Sequence, residues 1–286
     1  MIMRIAFIAD VHEDYNHHHD FVKCFSEFCR DQQIDLLIFA GDTSTGAVKT
    51  LYFYRQLQKV CRAKVMQIPG NHELYCELKR NLAGERIQTM EESQHYFERL
   101  MNDETSLALH PIETKNWVIV GECGWYDFSF DSHYPNLDYS KLAKKKLSLV
   151  RWPDRKFIDG NYVDEKLDIE RTQESLKRLE CLLVQASKTK KKILVVTHML
   201  PSASCIKNYK LPYFNKAANY LGSNRFIELF KKYQVEMNIC AHSHMRMDKE
   251  IEGIRVVNVS LGYNYQWKHI LDAKAEIAAT CFILED

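Results

Sequence analysis

The first seventy residues alternate short apolar runs with segments that have helical periodicity. The apolar runs cover residues 4–9, 34–40 and 64–68. Between the first two runs, apolar residues recur at the i, i+3, i+4 and i+7 spacing of one helix face: Phe21, Cys24, Phe25 and Phe28. Continuous apolar runs are typical of strands that are covered on both faces. The order strand, helix, strand, helix, strand therefore predicts right-handed crossovers and a largely parallel sheet in an α/β fold.

The rest of the chain continues this alternation at longer intervals. Further strands are expected at 117–120, 193–197, 237–240, 254–259 and 278–284, and further helices at 91–100, 169–183 and 223–233. Between about residues 125 and 170 the periodicity is lost, and aromatic residues interleave with lysines and arginines. A chain of 286 residues suits one large domain. We therefore interpret residues 1–286 as a single domain with a cap-like insertion at about 125–170.

Composition restricts the classes of function. The formal net charge is +1, which gives no general attraction to nucleic acid or to an anionic membrane surface. No apolar run approaches the ~20 residues that span a bilayer. The nine cysteines form no CxxC pair and sit among apolar neighbours, as expected of buried thiols in a reducing compartment. The N-terminus has no basic region or cleavage site, so a cytoplasmic protein is expected.

Metal-competent side chains follow five of the expected strands. They are Asp10 and His12, Asp42, Asn71 and His72, His198, and His242 and His244. Any one of them has an ordinary explanation, because an aspartate at a strand end often caps a turn and a single histidine is usually a hydrogen-bonded core or surface residue. The carboxyl ends of strands in an open α/β sheet, however, meet where ligands bind. Residues two apart in an extended chain point the same way, which favours convergence of Asp10 and His12.

These residues belong to a series of ordered motifs. The motifs are Asp10-Val11-His12, Gly41-Asp42, Gly70-Asn71-His72-Glu73, His198 and Ala241-His242-Ser243-His244. In this order they resemble the motifs of the calcineurin-like metallophosphoesterase superfamily. The resemblance implies a four-layer α/β/β/α sandwich, with two mixed β-sheets flanked by helices and a metal site at the C-terminal ends of the strands. It also implies a hydrolase with a dinuclear metal centre that acts on a small phosphorylated substrate.

The resemblance assigns roles to seven ligands. It implies that Asp42 bridges two divalent ions and that each ion has three further protein ligands. The first set is Asp10, His12 and His244, and the second is Asn71, His198 and His242. Oxygen and imidazole ligands without a thiolate fit Mn²⁺, Fe or Zn²⁺ and disfavour Ca²⁺. Cys240 precedes His242 by two residues, but its strand position indicates burial, so it is left out of the ligand set.

His72 has a different expected role. By resemblance it is a catalytic residue that faces the substrate, stabilises charge on phosphate oxygens and acts as general acid for the leaving alkoxide. The nucleophile implied for this in-line reaction is a hydroxide that bridges the two metal ions. Glu73 and Asp14 are candidates to orient imidazoles by accepting their N–H groups.

Two positions depart from the family pattern. Ala241 replaces the usual glycine, and alanine suits this position only if the backbone φ is negative. Thr43 and Ser44 follow Gly41-Asp42, where protein serine/threonine phosphatases have an Asp-Arg pair that binds phosphate. A protein phosphatase is therefore disfavoured.

Several alternatives stay open. A phosphodiesterase is favoured, a phosphomonoesterase is the close alternative, and a catalytically silent scaffold or a nuclease is less well supported. Arg151, Trp152 and Arg155 are candidates to contact the substrate, but this rests on composition. Trp125 and Tyr126 either flank the metal site or belong to the core. The run of histidines at 17–19 is interpreted as a surface turn, and the sequence does not predict the oligomeric state.

Overall fold

The computed structural model describes residues 2–76, 89–130, 144, 146–147, 150–158, 166–206 and 217–286. In chain order the described strands are β1 (Arg4–Ile8), β2 (Leu36–Ala40), β3 (Lys64–Ile68), β4 (Ile112–Glu113), β5 (Trp117–Glu122), β6 (Lys146–Leu147), β7 (Val150–Arg151), β8 (Lys192–Thr197), β9 (Met237–Cys240), β10 (Met247–Ile251), β11 (Ile254–Asn258) and β12 (Phe282–Glu285). The described α-helices are α1 (Phe21–Asp31), α2 (Ala47–Val60), α3 (Met90–Met101), α4 (Asp154–Phe157), α5 (Leu167–Ser187), α6 (Asn224–Lys232) and α7 (Ala273–Thr280).

The strands form two larger mixed sheets. The first has the order β12-β1-β2-β3, in which β1, β2 and β3 are parallel and β12 is antiparallel to β1. The second has the order β10-β11-β9-β8-β5-β4, with four parallel central strands and an antiparallel strand at each edge. A separate two-stranded sheet pairs β6 with β7. The parallel sheets predicted from the apolar runs are therefore present.

Three apolar clusters order the molecule into layers. Between the two sheets, residues such as Phe7 and Ile38 pack with Ile119 and Val196 of the other sheet. On the outer face of the first sheet, α1, α2 and α7 supply a second cluster. On the outer face of the second sheet, α5 and α6 supply a third. The predicted four-layer α/β/β/α sandwich is confirmed.

Two elements near the C-terminus differ from prediction. The strand expected at 278–284 is wrong at its start, because α7 extends to Thr280 and β12 covers Phe282–Glu285. β10 was not predicted, since its middle residues Asp248, Lys249 and Glu250 are exposed at the sheet edge and have no apolar alternation. Pairing with β11, including the ion pair from Arg255 to Asp248 at 2.7 Å, holds this polar strand in the sheet.

The cysteines agree with the expectation from composition. All nine cysteines are free thiols, and six of them are buried. Within the described ranges, none of the helices has the length and apolar composition that crossing a bilayer requires.

The predicted cap-like insertion lies partly outside the described residues, and the part that is described contains β6, β7 and α4.

Candidate metal centre

The seven predicted ligands come together at the carboxyl ends of strands from both sheets. Asp10, Asp42 and Asn71 follow β1, β2 and β3 of the first sheet. His198 and His242 follow β8 and β9 of the second sheet. Hydrogen bonds from backbone N–H groups connect adjacent loops: Asp10 N donates to Gly41 O at 2.9 Å, and His242 N donates to the Asp10 side chain at Oδ2 at 3.0 Å. The packing of the two sheets therefore positions the site.

The backbone turns sharply at most of these positions. Five predicted ligands have left-handed φ values: Asp10 (52°), His12 (45°), Asp42 (53°), His242 (65°) and His244 (53°). This region is unfavourable for residues that carry a Cβ atom. Asp10 and His12 do converge, but left-handed turns rather than an extended chain bring them together. Ala241 is not among the residues with positive φ, which agrees with the condition derived for alanine there.

One group of side chains contains Asp10, His12 and His244. The Nε2 atoms of the two imidazoles are 3.1 Å apart, and Asp10 Oδ1 is 3.7 Å from His244 Nε2. Gln266 Oε1 lies 2.9 Å from His244 Nδ1, so it accepts the Nδ1 proton and leaves the Nε2 lone pair facing the centre. Facing lone pairs repel each other unless a proton or a cation lies between them.

A second group contains Asp42, His198 and His242. His198 Nε2 is 3.4 Å from Asp42 Oδ2, 3.2 Å from His242 Nδ1 and 3.2 Å from Asn71 Oδ1. The other ring nitrogens donate to backbone carbonyls: His198 Nδ1 to Ala40 O at 2.9 Å and His242 Nε2 to Tyr220 O at 3.1 Å. These outer bonds fix which nitrogen of each ring faces the centre.

The donor set fits divalent cations. In each group the ligand atoms of the histidines and aspartates lie within 4.8 Å of one another. Asp10 Oδ1 is buried and has no hydrogen-bond partner among the described residues. A buried carboxylate oxygen without a partner is costly. Cations between the converging atoms would satisfy the carboxylate oxygens and the imidazole lone pairs together.

The charged side chains of the cluster shift one another's pKa values. Burial raises the pKa of Asp42, but His198 and His72 outweigh burial and hold the pKa well below its ordinary value. Burial lowers the pKa of His198, but Asp42 more than compensates and raises it to about 10. Burial and the neighbouring His198 lower the pKa of His242 to about 4. Without cations the cluster therefore holds a proton on His198, which metal binding would displace.

His72 lies against the same centre. Its Nε2 is 3.8 Å from Asp42 Oδ2, and its backbone N–H donates to Asp42 Oδ1 at 2.9 Å. Its ring stacks on Tyr75 with centroids 4.3 Å apart. Since His12, Asp42 and His72 also form a group of possible ligands, the geometry permits both a ligand and a proton donor at this position. The catalytic role of His72 stays a prediction.

A cleft of about 230 Å³ gives access to the candidate ligands. Its walls include aromatic side chains, among them Trp152 and Tyr263. Trp152 stacks on Tyr220 at 5.2 Å, and Tyr263 stacks on His12 at 4.6 Å. The cleft therefore combines a polar floor with apolar walls.

Glu73 has a different role from the one expected. Its carboxylate accepts the backbone N–H groups of Asp42 at 2.9 Å, Thr43 at 2.7 Å and Gly70 at 2.7 Å. None of these donors is an imidazole, so the predicted orientation of a histidine by Glu73 is wrong. Asp14 Oδ1 has no hydrogen-bond partner among the described residues. Glu73 instead joins the loops after β2 and β3, which carry predicted ligands.

The remaining residues considered in the sequence lie in the core, at the surface or in the cleft. Trp125 and Tyr126 belong to the core, with 3% and 0% exposure. Cys240 is buried in the cluster beneath α5 and α6, as expected. His17 and His18 are exposed in a turn. Trp152 lines the cleft, whereas the side chains of Arg151 and Arg155 lie outside what the structure describes.

The fold and the site define a class of protein. The sequence profile of the calcineurin-like phosphoesterase family matches residues 3–246. The chain belongs to this family and is a metal-dependent phosphoester hydrolase. The resemblance inferred from the motifs is thereby confirmed.

Solved structures share the architecture. A phosphopantetheinyl hydrolase from Mycobacterium tuberculosis is similar with a TM-score of 0.73 and 19% identity, over 96% of this chain and 94% of that chain. A dimetal phosphatase from Danio rerio is similar with a TM-score of 0.52 and 14% identity, over 91% and 88%. At these identities the likeness shows the fold. A comparison with curated protein sequences gives no match.

Proposed function

We propose that this enzyme hydrolyses a small phosphodiester at a dinuclear metal centre. Two cations would be held by the predicted ligands: Asp10, His12, Asp42, Asn71, His198, His242 and His244. Bound there, they would neutralise phosphate charge and lower the pKa of water. The observation that carries the proposal is the pair of ligand groups whose lone pairs converge beside one cleft. The oxygen and nitrogen donors suit Mn²⁺, Fe or Zn²⁺.

His72 is the proposed general acid. Its imidazole borders both the cleft and Asp42. A proton from this ring would neutralise the leaving oxygen as its bond to phosphorus breaks. Stacking on Tyr75 would hold the ring plane during the transfer.

The described lining of the cleft supports the proposal of a diester rather than a monoester as substrate. None of the described side chains that line it belongs to a lysine or an arginine. A phosphomonoester dianion would gain from such a cation, whereas a diester carries less charge and a second organic group. Trp152 and Tyr263 offer apolar surface for that group. The similar phosphopantetheinyl hydrolase suggests one substrate class to test.

The test compares bis-p-nitrophenyl phosphate with p-nitrophenyl phosphate, using Mn²⁺-reconstituted protein and the His72→Ala variant as control. Faster cleavage of the diester, lost in the variant, supports the proposal. Faster cleavage of the monoester would contradict the proposal and would identify the enzyme as a phosphomonoesterase. A small phosphopantetheinyl diester is the next substrate to assay. No cleavage of any of these with two ions bound would contradict the proposed activity on small esters.

We also propose that residues 1–286 form one domain, with 125–170 as a cap over the cleft. Trp152 and Pro153 from this stretch line the cleft beside His72, which supports the proposal. Nine free thiols support a reducing, cytoplasmic location.

A further inference from the structure

Asp154 is a buried carboxylate next to the candidate metal centre. It is 0% exposed. Oδ1 accepts hydrogen bonds from Asn71 Nδ2 at 2.9 Å and Tyr75 Oη at 2.7 Å. Oδ2 accepts from Tyr126 Oη at 2.7 Å and Trp152 Nε1 at 3.1 Å. A carboxylate offers about four acceptor positions. These four donors therefore suit an ionised aspartate and would not be matched by an amide.

The contacts of Asn71 determine which end of its amide faces the ligands. The oxygen and nitrogen of an amide have nearly the same shape, so only hydrogen-bond partners distinguish them. Asn71 Nδ2 donates to Asp154 Oδ1 and to Tyr75 Oη, the latter at 3.0 Å. Both N–H groups are thus used away from the centre. The oxygen is left 3.2 Å from His198 Nε2, among the predicted ligand atoms.

Asp154 also acts on the neighbourhood of His72. Because Tyr75 Oη accepts from Asn71, its own proton is free to bond to Asp154 Oδ1. The Tyr75 ring lies between His72, at a centroid distance of 4.3 Å, and Phe157, at 4.8 Å. The bond from Tyr75 to Asp154 therefore anchors the ring on which His72 stacks.

We propose that Asp154 is a positioning residue of this phosphoesterase. It directs the oxygen of Asn71 toward one metal ion and keeps Tyr75 against His72. The inference rests on the proposed function, because it takes Asn71 as a metal ligand. Asp154 contacts no proposed ligand atom facing the ions and acts through its neighbours. A residue from the predicted cap thereby contributes to metal binding.

The first test measures metal binding. Metal-free protein is titrated with Mn²⁺ by calorimetry, and bound ions per chain are counted by elemental analysis. In Asp154→Asn, the side-chain NH₂ group replaces one carboxylate oxygen and faces two of the four donors. Rotation of the Asn71 amide would remove this conflict, but it would turn the amide oxygen away from the metal ion. One of the two ions should then bind about 10–100-fold more weakly, with the other unchanged.

Asp168→Asn is the matched control. Asp168 is another buried aspartate, 3% exposed, and accepts the indole N–H of Trp125 at 2.8 Å. It supports the same aromatic cluster without contacting a predicted ligand, so this variant should bind both ions as the wild type does. Equal weakening in Asp168→Asn and Asp154→Asn would overturn the proposal in favour of general destabilisation.

A double variant tests the direction of the hydrogen bond. Asn71→Asp with Asp154→Asn exchanges amide and carboxylate, so the N–H group comes from position 154 and the ligand needs no orientation. It should bind the weakened ion at least about tenfold more tightly than Asp154→Asn alone. Tyr75→Phe keeps the ring stack but removes an acceptor of Asn71, and it should weaken the same ion even if Asp154→Asn fails to fold.

The outcomes separate the two proposals. Two ions bound with wild-type affinity in Asp154→Asn, or in Tyr75→Phe, would overturn the role of Asp154 and leave the proposed function intact. A wild-type protein that binds no Mn²⁺ would instead refute the dinuclear centre.

Discussion

The Nε2 atoms of His12 and His244 lie 3.1 Å apart, although 232 residues separate them in the chain. His12 belongs to the loop after β1 in the first sheet, and His244 to the loop after β9 in the second. Their proximity depends on how the two sheets pack rather than on local sequence. Metal binding at this point would therefore join the two halves of the sandwich.

Removal of divalent cations should lower the melting temperature. Cations that bind only the folded chain stabilise it, by about 2.7 kcal/mol at a concentration 100 times the dissociation constant. Thermal unfolding with chelator and with graded Mn²⁺ measures the effect. In His12→Ala the dependence on Mn²⁺ should be smaller, because one predicted ligand is lost. A wild-type melting temperature indifferent to Mn²⁺ would contradict the predicted site.

His72→Ala and Asp42→Ala should fail in different ways. Loss of a general acid costs about 10²–10⁴-fold in turnover, most with a poor leaving group, while both ions stay bound. Asp42→Ala removes the predicted bridging ligand, so ion content should fall as well. Turnover on an alkyl diester and elemental analysis are measured on both variants. Loss of an ion from His72→Ala would make His72 a ligand instead.

Gly70→Ala should disrupt metal binding through steric conflict. A Cβ atom at this position would overlap Asp42 Oδ1 and would lie 2.7 Å from His198 Nε2. Both predicted ligands would have to move, so Mn²⁺ affinity should fall by more than about tenfold.

Gly253→Ala is the control for Gly70→Ala. Gly253 has a φ of +83°, and among the described residues no atom beyond its two chain neighbours lies within 4 Å of an added Cβ. It should cost about 1 kcal/mol of folding free energy through backbone strain and leave metal affinity unchanged. Equal metal affinity in the two variants would show that the close approach at Gly70 is unimportant.

Glu73→Gln should destabilise the metal-free fold. The carboxylate accepts backbone N–H groups from Asp42, Thr43 and Gly70, and an amide NH₂ cannot replace both oxygens. We expect the free energy of unfolding, measured by urea titration, to fall by about 2 kcal/mol. Glu113→Gln removes a surface pair with Lys191 and should cost less than about 1 kcal/mol. A loss at Glu73 no larger than at Glu113 would count against this role.

Glu276 should make stability depend on acidic pH. Burial raises the pKa of Glu276, but Arg246 Nη2 at 2.6 Å and the backbone N–H of His269 at 2.9 Å outweigh it, so the pKa lies below its ordinary 4.5. The folded state therefore favours the ionised carboxylate. Its stabilisation is present above pH 4.5 and is lost as the pH falls through the lower folded-state pKa.

The difference in unfolding free energy between wild type and Glu276→Gln isolates this contribution. Urea unfolding of metal-free protein at a series of pH values should show the largest difference near neutrality and a shrinking one in acid. A difference that stays constant with pH would contradict the lowered pKa of Glu276.

The sequence predicted the strands and the candidate ligands at their ends because both have local signals, and the order of the motifs, which resembles the family pattern, predicted that these ends meet. Apolar strands with polar ends fix where Asp10, Asp42 and His198 lie once the sheets form. Asp154 gave no such signal, since its partners Asn71 and Tyr75 are 83 and 79 residues away and its surroundings lack periodicity. Its role emerges only when distant segments pack together.

Glu73 and β10 show a second limit. The position of Glu73 beside His72 suggested contact with an imidazole, but the 3₁₀ turn from His72 to Leu74 directs the carboxylate to the backbone of adjacent loops. The charged sequence of β10 is typical of a loop, and only pairing with β11 makes the segment a strand. Long-range hydrogen bonds decided both cases.

The left-handed backbone at the five strand-end ligands also has a consequence for engineering. Each such residue with a side chain costs about 1 kcal/mol relative to a glycine in the same conformation. Replacing His12 by glycine would thus relieve strain in the metal-free scaffold while removing a group that is predicted to bind a cation. Selection for thermostability in metal-free protein would therefore favour loss of such a ligand, so a screen for more stable variants needs to retain metal in every round.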